Sequence, residues 1–124
     1  IYDAYSVLLE IFNLAKDEII IIDNYVGKVL LDELRSIDKN IIIISSNINV
    51  NLRKKYLKQY NNIKFIKNDS YHDRFIIIDR KRVFHSGASF KDLGRKCFGI
   101  HEIENYVEIE KLINEVIKKC SIDN

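Results

Sequence analysis

The chain has no proline, no internal repeat and no low-complexity tract. Their absence leaves no linker signal, and 124 residues fit one domain around one hydrophobic core. There is no signal-peptide pattern, and no apolar run approaches the roughly twenty residues needed to span a bilayer. No membrane partner is therefore expected. An excess of one charge is missing too: 20 Lys and Arg stand against 18 Asp and Glu, for a net charge of +2. That balance argues against tight non-specific nucleic-acid binding. Cysteine is scarce. Cys97 and Cys120 form no metal motif and read as two buried or semi-buried thiols, one in a strand and one near the end of a helix. Nothing demands an oxidising compartment, so the expected location is cytoplasmic, with no metal or cofactor. The first residue is Ile1 rather than Met, which reads as a piece excised from a longer protein or as a processed chain.

What the sequence has in abundance is isoleucine, in blocks at 19–22, 41–44 and 76–78. Runs of this length suit strands buried on both faces, as in a parallel or mixed sheet covered by helices. Residues 2–16 place apolar side chains at helical spacing, with Asp3 and Ser6 at the start. A buried strand follows at 18–23. The pattern predicts a second helix over 26–37, with Val29, Leu30, Leu34 and Ile37 inward, and a second buried strand at 40–45. Asn49 is positioned to cap a third helix over 50–60. A shorter strand at 63–67 completes an α-β-α-β-α-β opening, which implies parallel pairing through right-handed crossovers.

The second half changes character. Strands at 72–79 and 82–86, joined by Arg80-Lys81, read as a hairpin. Residues 91–95 suggest a turn closing at Gly94, 97–104 a last strand, and 107–119 a final amphipathic helix. Acidic residues lie early in that helix and lysines late, as its dipole favours. The fold class is thus α/β: a mixed sheet flanked by helices, with a hairpin, a last strand and a C-terminal helix after the alternating opening.

One segment carries chemistry: His72-Asp73-Arg74-Phe75-Ile76-Ile77-Ile78-Asp79. On a strand, alternate residues share a face, so His72 and Arg74 are expected to project together. Imidazole can attack or exchange protons, and guanidinium offers a fork of donors matched to phosphate oxygens.

This stretch resembles the signature of the phospholipase D superfamily, His-x-Lys-x4-Asp, with His72 and Asp79 in register and Arg74 at the Lys position. The family's following small-residue turn, often Gly-Ser-x-Asn, is matched by Gly87-Ala88-Ser89-Phe90, with Phe90 in place of Asn. The longer run from Tyr71 to Gly94 resembles phospholipase-D-like C-terminal domains of phage-associated bacterial proteins whose N-terminal part is an antirepressor-like DNA-binding domain. The likeness is firm over 63–94 and rests on layout before that. It implies catalytic roles for His72, Arg74 and Asp79. It also implies a phosphohistidine intermediate formed without a metal, and a second histidine, from another copy of the motif, that protonates the leaving group. Since one copy is present, activity implies a homodimer with the site on its two-fold axis.

Read one by one, the residues leave alternatives. A lone His72 would be structural; beside Arg74 and Asp79 the functional reading is favoured. Arg74 preserves phosphate binding better than it preserves the geometry of a lysine. Asp79 has the opposite parity to His72 and suits fixing the hairpin or a backbone partner, while Asp73 reads as outward and solvated. Ser89 could hold a phosphate with Arg74, or cap the segment after it. His85 and His101 read as partly buried strand histidines. Asp23, Asn24 and Tyr25 after the first strand, and Ser45, Ser46 and Asn47 after the second, lie where open α/β sheets bind ligands. Asp23, Tyr25, Ser45 and Ser46 read first as loop and capping residues and second as a candidate pocket rim, with Glu102 or Glu104 able to support His72 from the last strand. Arg53, Lys54, Lys55 and Lys58 with Tyr56 and Tyr60 form a basic aromatic helix, which reads first as a solvated face and second as a track for a phosphate backbone. Two functions follow: a nuclease-type phosphodiesterase acting on or binding nucleic acid, or a non-catalytic dimerisation or phosphate-recognition module serving a DNA-binding domain.

Overall fold

The structure, a computed structural model, describes residues 4–87 and 99–122. In chain order the elements are α1 (Ala4–Asn13), β1 (Glu18–Ile22), α2 (Lys28–Leu34), β2 (Asn40–Ser45), α3 (Val50–Gln59), β3 (Ile63–Lys67), β4 (Arg74–Ile78), β5 (Arg82–Ser86), β6 (Ile100–Glu102) and α4 (Tyr106–Ile122). The strands form one six-stranded sheet in the order β3-β2-β1-β4-β5-β6. β1, β2 and β3 run parallel; β4, β5 and β6 continue the sheet by antiparallel pairing.

The isoleucine blocks explain this arrangement. Successive strand residues face opposite sides. Ile19, Ile21, Ile41, Ile43, Ile76 and Ile78 join Leu8, Phe12, Leu30, Leu31 and Leu34 in one core, beneath α1 and α2. Ile20, Ile22, Ile44 and Ile77 join Ile113, Val116 and Cys120 in a second core, beneath α4. The central strands are therefore apolar on both sides, and each fully buried isoleucine contributes about 1.5–3 kcal/mol. Tyr56 on α3 is buried and donates to Asp32 Oδ1 at 2.7 Å, which locks α3 to α2.

Several boundaries differ from the sequence pattern, each for a local reason. α1 stops at Asn13 because Leu14 and Ala15 donate to Ile11 and Phe12, a tightened last turn. α2 is shorter than the predicted 26–37: Gly27 ahead of it is extended, and Arg35 donates back to Asp32. Val29 faces out and Leu31 is buried in its place. Asn49 caps α3 as expected, its side chain accepting from the amides of Asn51 and Leu52. The last strand covers 100–102 of the predicted 97–104. Residues 97–98, including Cys97, and the 91–95 turn lie outside the described residues.

The hairpin turn begins one residue earlier than the pattern predicts. Asp79 and Arg80, not Arg80 and Lys81, are its central pair, both at positive φ, and Lys81 donates to Ile78 at 3.0 Å. The loop spans the three residues between the paired Ile78 and Arg82, and positive φ is a conformation usually taken by Asn or Gly.

Candidate functional site

The carboxyl ends of the three parallel strands share one edge of the sheet. Residues 23–25 leave β1 there, and residues 45–47 leave β2. After β3, residues 68–73 must travel back across β2 and β1 to begin β4, because β4 lies on the far side of β1. Two bonds tie that crossing segment down. The Asn68 amide donates to the Ser45 carbonyl at 3.1 Å, and Asn24 Nδ2 donates to the Tyr71 carbonyl. Tyr71 itself is buried against the α4 core, with Lys119 Nζ 5.5 Å from its ring centroid. Burial pushes its hydroxyl pKa up to about 12.

His72 follows Tyr71 and is exposed. It precedes the strand instead of opening it: β4 starts at Arg74. The strand alternation that was expected to pair His72 with Arg74 therefore does not reach His72. The cause is the crossing segment, whose backbone is held by Asn24 rather than by a neighbouring strand. Arg74 is half-buried and lies opposite Ser86 on β5.

Asp73 proves to be engaged. Its Oδ1 stands 3.5 Å from His85 Nε2. His85 lies opposite Phe75 and His101 in the sheet, its ring 5.4 Å from the Phe75 ring and 5.1 Å from the His101 ring, centre to centre. A carboxylate and two imidazoles thus lie one residue beyond His72. The sequence hid this group because the pairing of His85 with His101 depends on the register of β5 against β6. Half of it was accessible: a 74–78/82–86 hairpin sets Phe75 opposite His85.

Asp79 lies at the other end of β4, a five-residue strand of about 17 Å, and is not brought to His72. Its carboxylate accepts from the backbone amides of Lys16, Asp17 and Glu18, each at 2.9 Å. Those bonds, from Lys16 foremost, hold its pKa below the usual carboxylate range. The reading of Asp79 as a hairpin-fixing residue with backbone partners describes this geometry. Glu102 is likewise occupied: Arg82 donates to it through both Nε and Nη2, at 2.8 and 2.7 Å. That contact lowers the Glu102 pKa. Glu104 lies beyond β6 and is exposed.

Of the remaining rim residues, Asp23 is fully buried and accepts from the Tyr25 amide at 2.9 Å, while the Tyr25 side chain is exposed. Ser45 is buried, and Ser45 and Ser46 both line a hollow at the ends of β2 and β3. Ser89, the second phosphate-binding candidate, lies outside the described residues, as does Phe90. Lys67, which ends β3 and lines the same hollow, was missed. The rule that ligands gather at carboxyl strand ends would have found it.

Two solved structures share this architecture. NucT from Helicobacter pylori matches with a TM-score of 0.68 and 19% identity over 95% of this chain and 87% of its own. The fold is phospholipase-D-like. TrmBL2, an archaeal chromatin protein whose structure shows a novel mode of DNA binding, matches with a TM-score of 0.55 and 16% identity. That match covers 96% of this chain but 51% of TrmBL2, so the chain spans about half the length of that protein. No family model and no curated protein matches the chain. Among the described residues no helix is long and apolar enough to cross a membrane, and no group of His, Cys, Asp and Glu is arranged to hold a metal ion.

Proposed function

We propose that this domain is a nuclease-type phosphodiesterase that acts on nucleic-acid phosphodiesters through His72, as a homodimer. The observation that carries the reading is the setting of His72. It is exposed on a segment anchored by Asn24 and Ser45, at the ligand-binding edge of a phospholipase-D-like sheet, two residues before the half-buried Arg74. In this chemistry a ring nitrogen of His72 attacks phosphorus, and the bond from phosphorus to the departing oxygen breaks. His72 of a second copy gives that oxygen its proton. Water then attacks the phosphohistidine, the second imidazole takes the water's proton, and the P–N bond breaks to restore His72. Dividing one hard displacement into two is the advantage of a covalent intermediate. Arg74 supplies the fork of donors for the non-bridging oxygens as negative charge redistributes. Asp79 acts at a distance by setting the hairpin from which Arg74 projects.

The test is cleavage of single- and double-stranded DNA and RNA in the presence of a chelator. Wild type is expected to cleave as a dimer, with His72→Ala reducing the rate by at least about a thousandfold. Unchanged cleavage by that variant would remove the proposal.

A second reading has its own support. Arg74 replaces the family's lysine, and the fold recurs within TrmBL2, where it forms part of a longer DNA-binding chromatin protein. In that reading the domain dimerises and recognises phosphate for an attached DNA-binding domain without turnover. Dimers that bind nucleic acid but leave it intact under all metal conditions would select it.

A further inference from the structure

The balanced net charge conceals an uneven distribution. Several basic side chains are ion-paired: Lys28 with Asp32, Arg80 with Glu18, Arg82 with Glu102. Arg53, Lys54 and Lys67 are all exposed, and among the described residues none of them is ion-paired with an acidic side chain. These three converge on one cleft of about 470 Å³, between the start of α3 and the carboxyl ends of β2 and β3. Its floor carries Ser45 and Ser46. Its apolar wall is Val50 and Leu57, 62% and 45% exposed, with the buried Phe65 behind them. A hollow of this size, mostly apolar with a few convergent polar groups, has the anatomy of a ligand site.

A second hollow of about 280 Å³ shares Ser46 and Lys67 with the cleft and adds Asn68 and Asp69. Asn68 begins the crossing segment that ends at His72. Two features separate this cleft from an ordinary solvated helix face. The aromatic residues interleaved with the α3 cations are not platforms: Tyr56 is 3% exposed, bonded to Asp32 and stacked on Tyr60 at 5.5 Å. Removing them from the count leaves an apolar wall at the foot of α3, facing the same space as the cations.

We propose that this cleft is a binding subsite for single-stranded nucleic acid, seating a base against Val50 and Leu57 while Arg53, Lys54 and Lys67 hold the flanking phosphates, with the strand continuing over Asn68 to His72. The proposal rests on the phosphodiester reading above and specifies its substrate class. Unpaired cations match a polyanion, and the exposed apolar wall matches a face that only an unpaired base presents. Asp69 limits the path, since a phosphate is repelled there and the strand must keep to the Lys67 side.

The experiment is fluorescence anisotropy of the full chain with labelled oligothymidylate and with a duplex of equal length, over a range of salt. Arg53→Ala/Lys54→Ala/Lys67→Ala is compared with Lys111→Ala/Lys118→Ala on the opposite face. The triple variant is expected to bind the single strand at least about tenfold more weakly, with a salt slope shallower by about 2, from three lost phosphate contacts. The control pair should bind as wild type. All substituted residues are exposed, and circular dichroism checks that the fold persists. Unchanged affinity and slope in the triple variant, with binding by wild type, overturns the cleft and leaves His72 untouched. Equal affinity for duplex overturns the single-strand assignment. Absence of binding by wild type overturns the cleft and the phosphodiester reading together. Weakened binding by the triple variant with no cleavage by wild type supports the cleft while the catalytic reading fails.

Discussion

The two edges of the sheet are built on opposite principles. At the amino edge of β1, charges are matched. Asp79 satisfies three amides of the α1–β1 connection, and Arg80 clasps Glu18 through two nitrogens at 2.9 and 3.1 Å. At the carboxyl edge, Arg53, Lys54 and Lys67 face open space, His72 is exposed, and the Asn24 Oδ1 and Tyr71 hydroxyl oxygens are buried with no hydrogen-bond partner. At the amino edge the charged groups bond one another; at the carboxyl edge three cations and His72 stay exposed to solvent. The difference teaches where stability and function divide in a small sheet. Loops closing the amino edge fix the register, while the crossing from β3 to β4 is free to present chemistry because its backbone is tied down at few points.

Substitutions at His72 and Asp79 should separate the edges cleanly. His72→Ala has the largest expected effect, on cleavage, with Tm unchanged because the side chain is exposed. Asp79→Ala should do the reverse. It removes three charge-assisted bonds and leaves a residue with no side-chain hydrogen bond at positive φ, for a loss of about 2 kcal/mol, or roughly 8 °C in Tm. A drop in Tm for His72→Ala comparable to that for Asp79→Ala would erase the division. The Asp79 effect also carries a pH signature. Its folded pKa is depressed, chiefly by the Lys16 amide. Its contribution is therefore present above the unfolded value near 3.9 and lost as pH falls through the folded one. The gap in Tm between wild type and Asp79→Ala should narrow when thermal melts are moved from pH 7 to pH 3.

Much of the fold was legible because the isoleucine blocks state burial on both faces, and that pattern survives without knowledge of neighbours. β2, β3 and β5 fall where the pattern places them, and Asn49 caps α3 by chemistry local to four residues. The site was legible only as a segment. His72 looked like a strand residue because Phe75 to Ile78 after it are strongly strand-forming, and alternation was extended two residues too far. What stops it is a long-range bond from Asn24, 47 residues away from Tyr71. The Asp73–His85–His101 group and the cation-lined cleft depend in the same way on strand order, which no local spacing encodes. Asp79 shows the converse. Its opposite parity to His72 was readable, and so was its structural role, although the motif alone would place it with the histidine.

The smallest expected effect probes the carboxyl edge from beneath. The Tyr71 hydroxyl is buried without a partner among the described residues, and its side chain is 8% exposed. An unsatisfied buried hydroxyl carries a desolvation cost, and removing it while keeping the ring retains the apolar packing and the contact with Lys119. Tyr71→Phe should therefore be stabilising by up to about 1 kcal/mol, read as a rise in Tm. If this edge gives up stability for function, the same variant should leave cleft binding intact while altering the rate of cleavage, because the hydroxyl is one residue from His72 but opposite the cleft. A fall in Tm would instead mean that the hydroxyl has a partner holding the crossing segment, and the carboxyl edge would then be as self-satisfied as the amino edge.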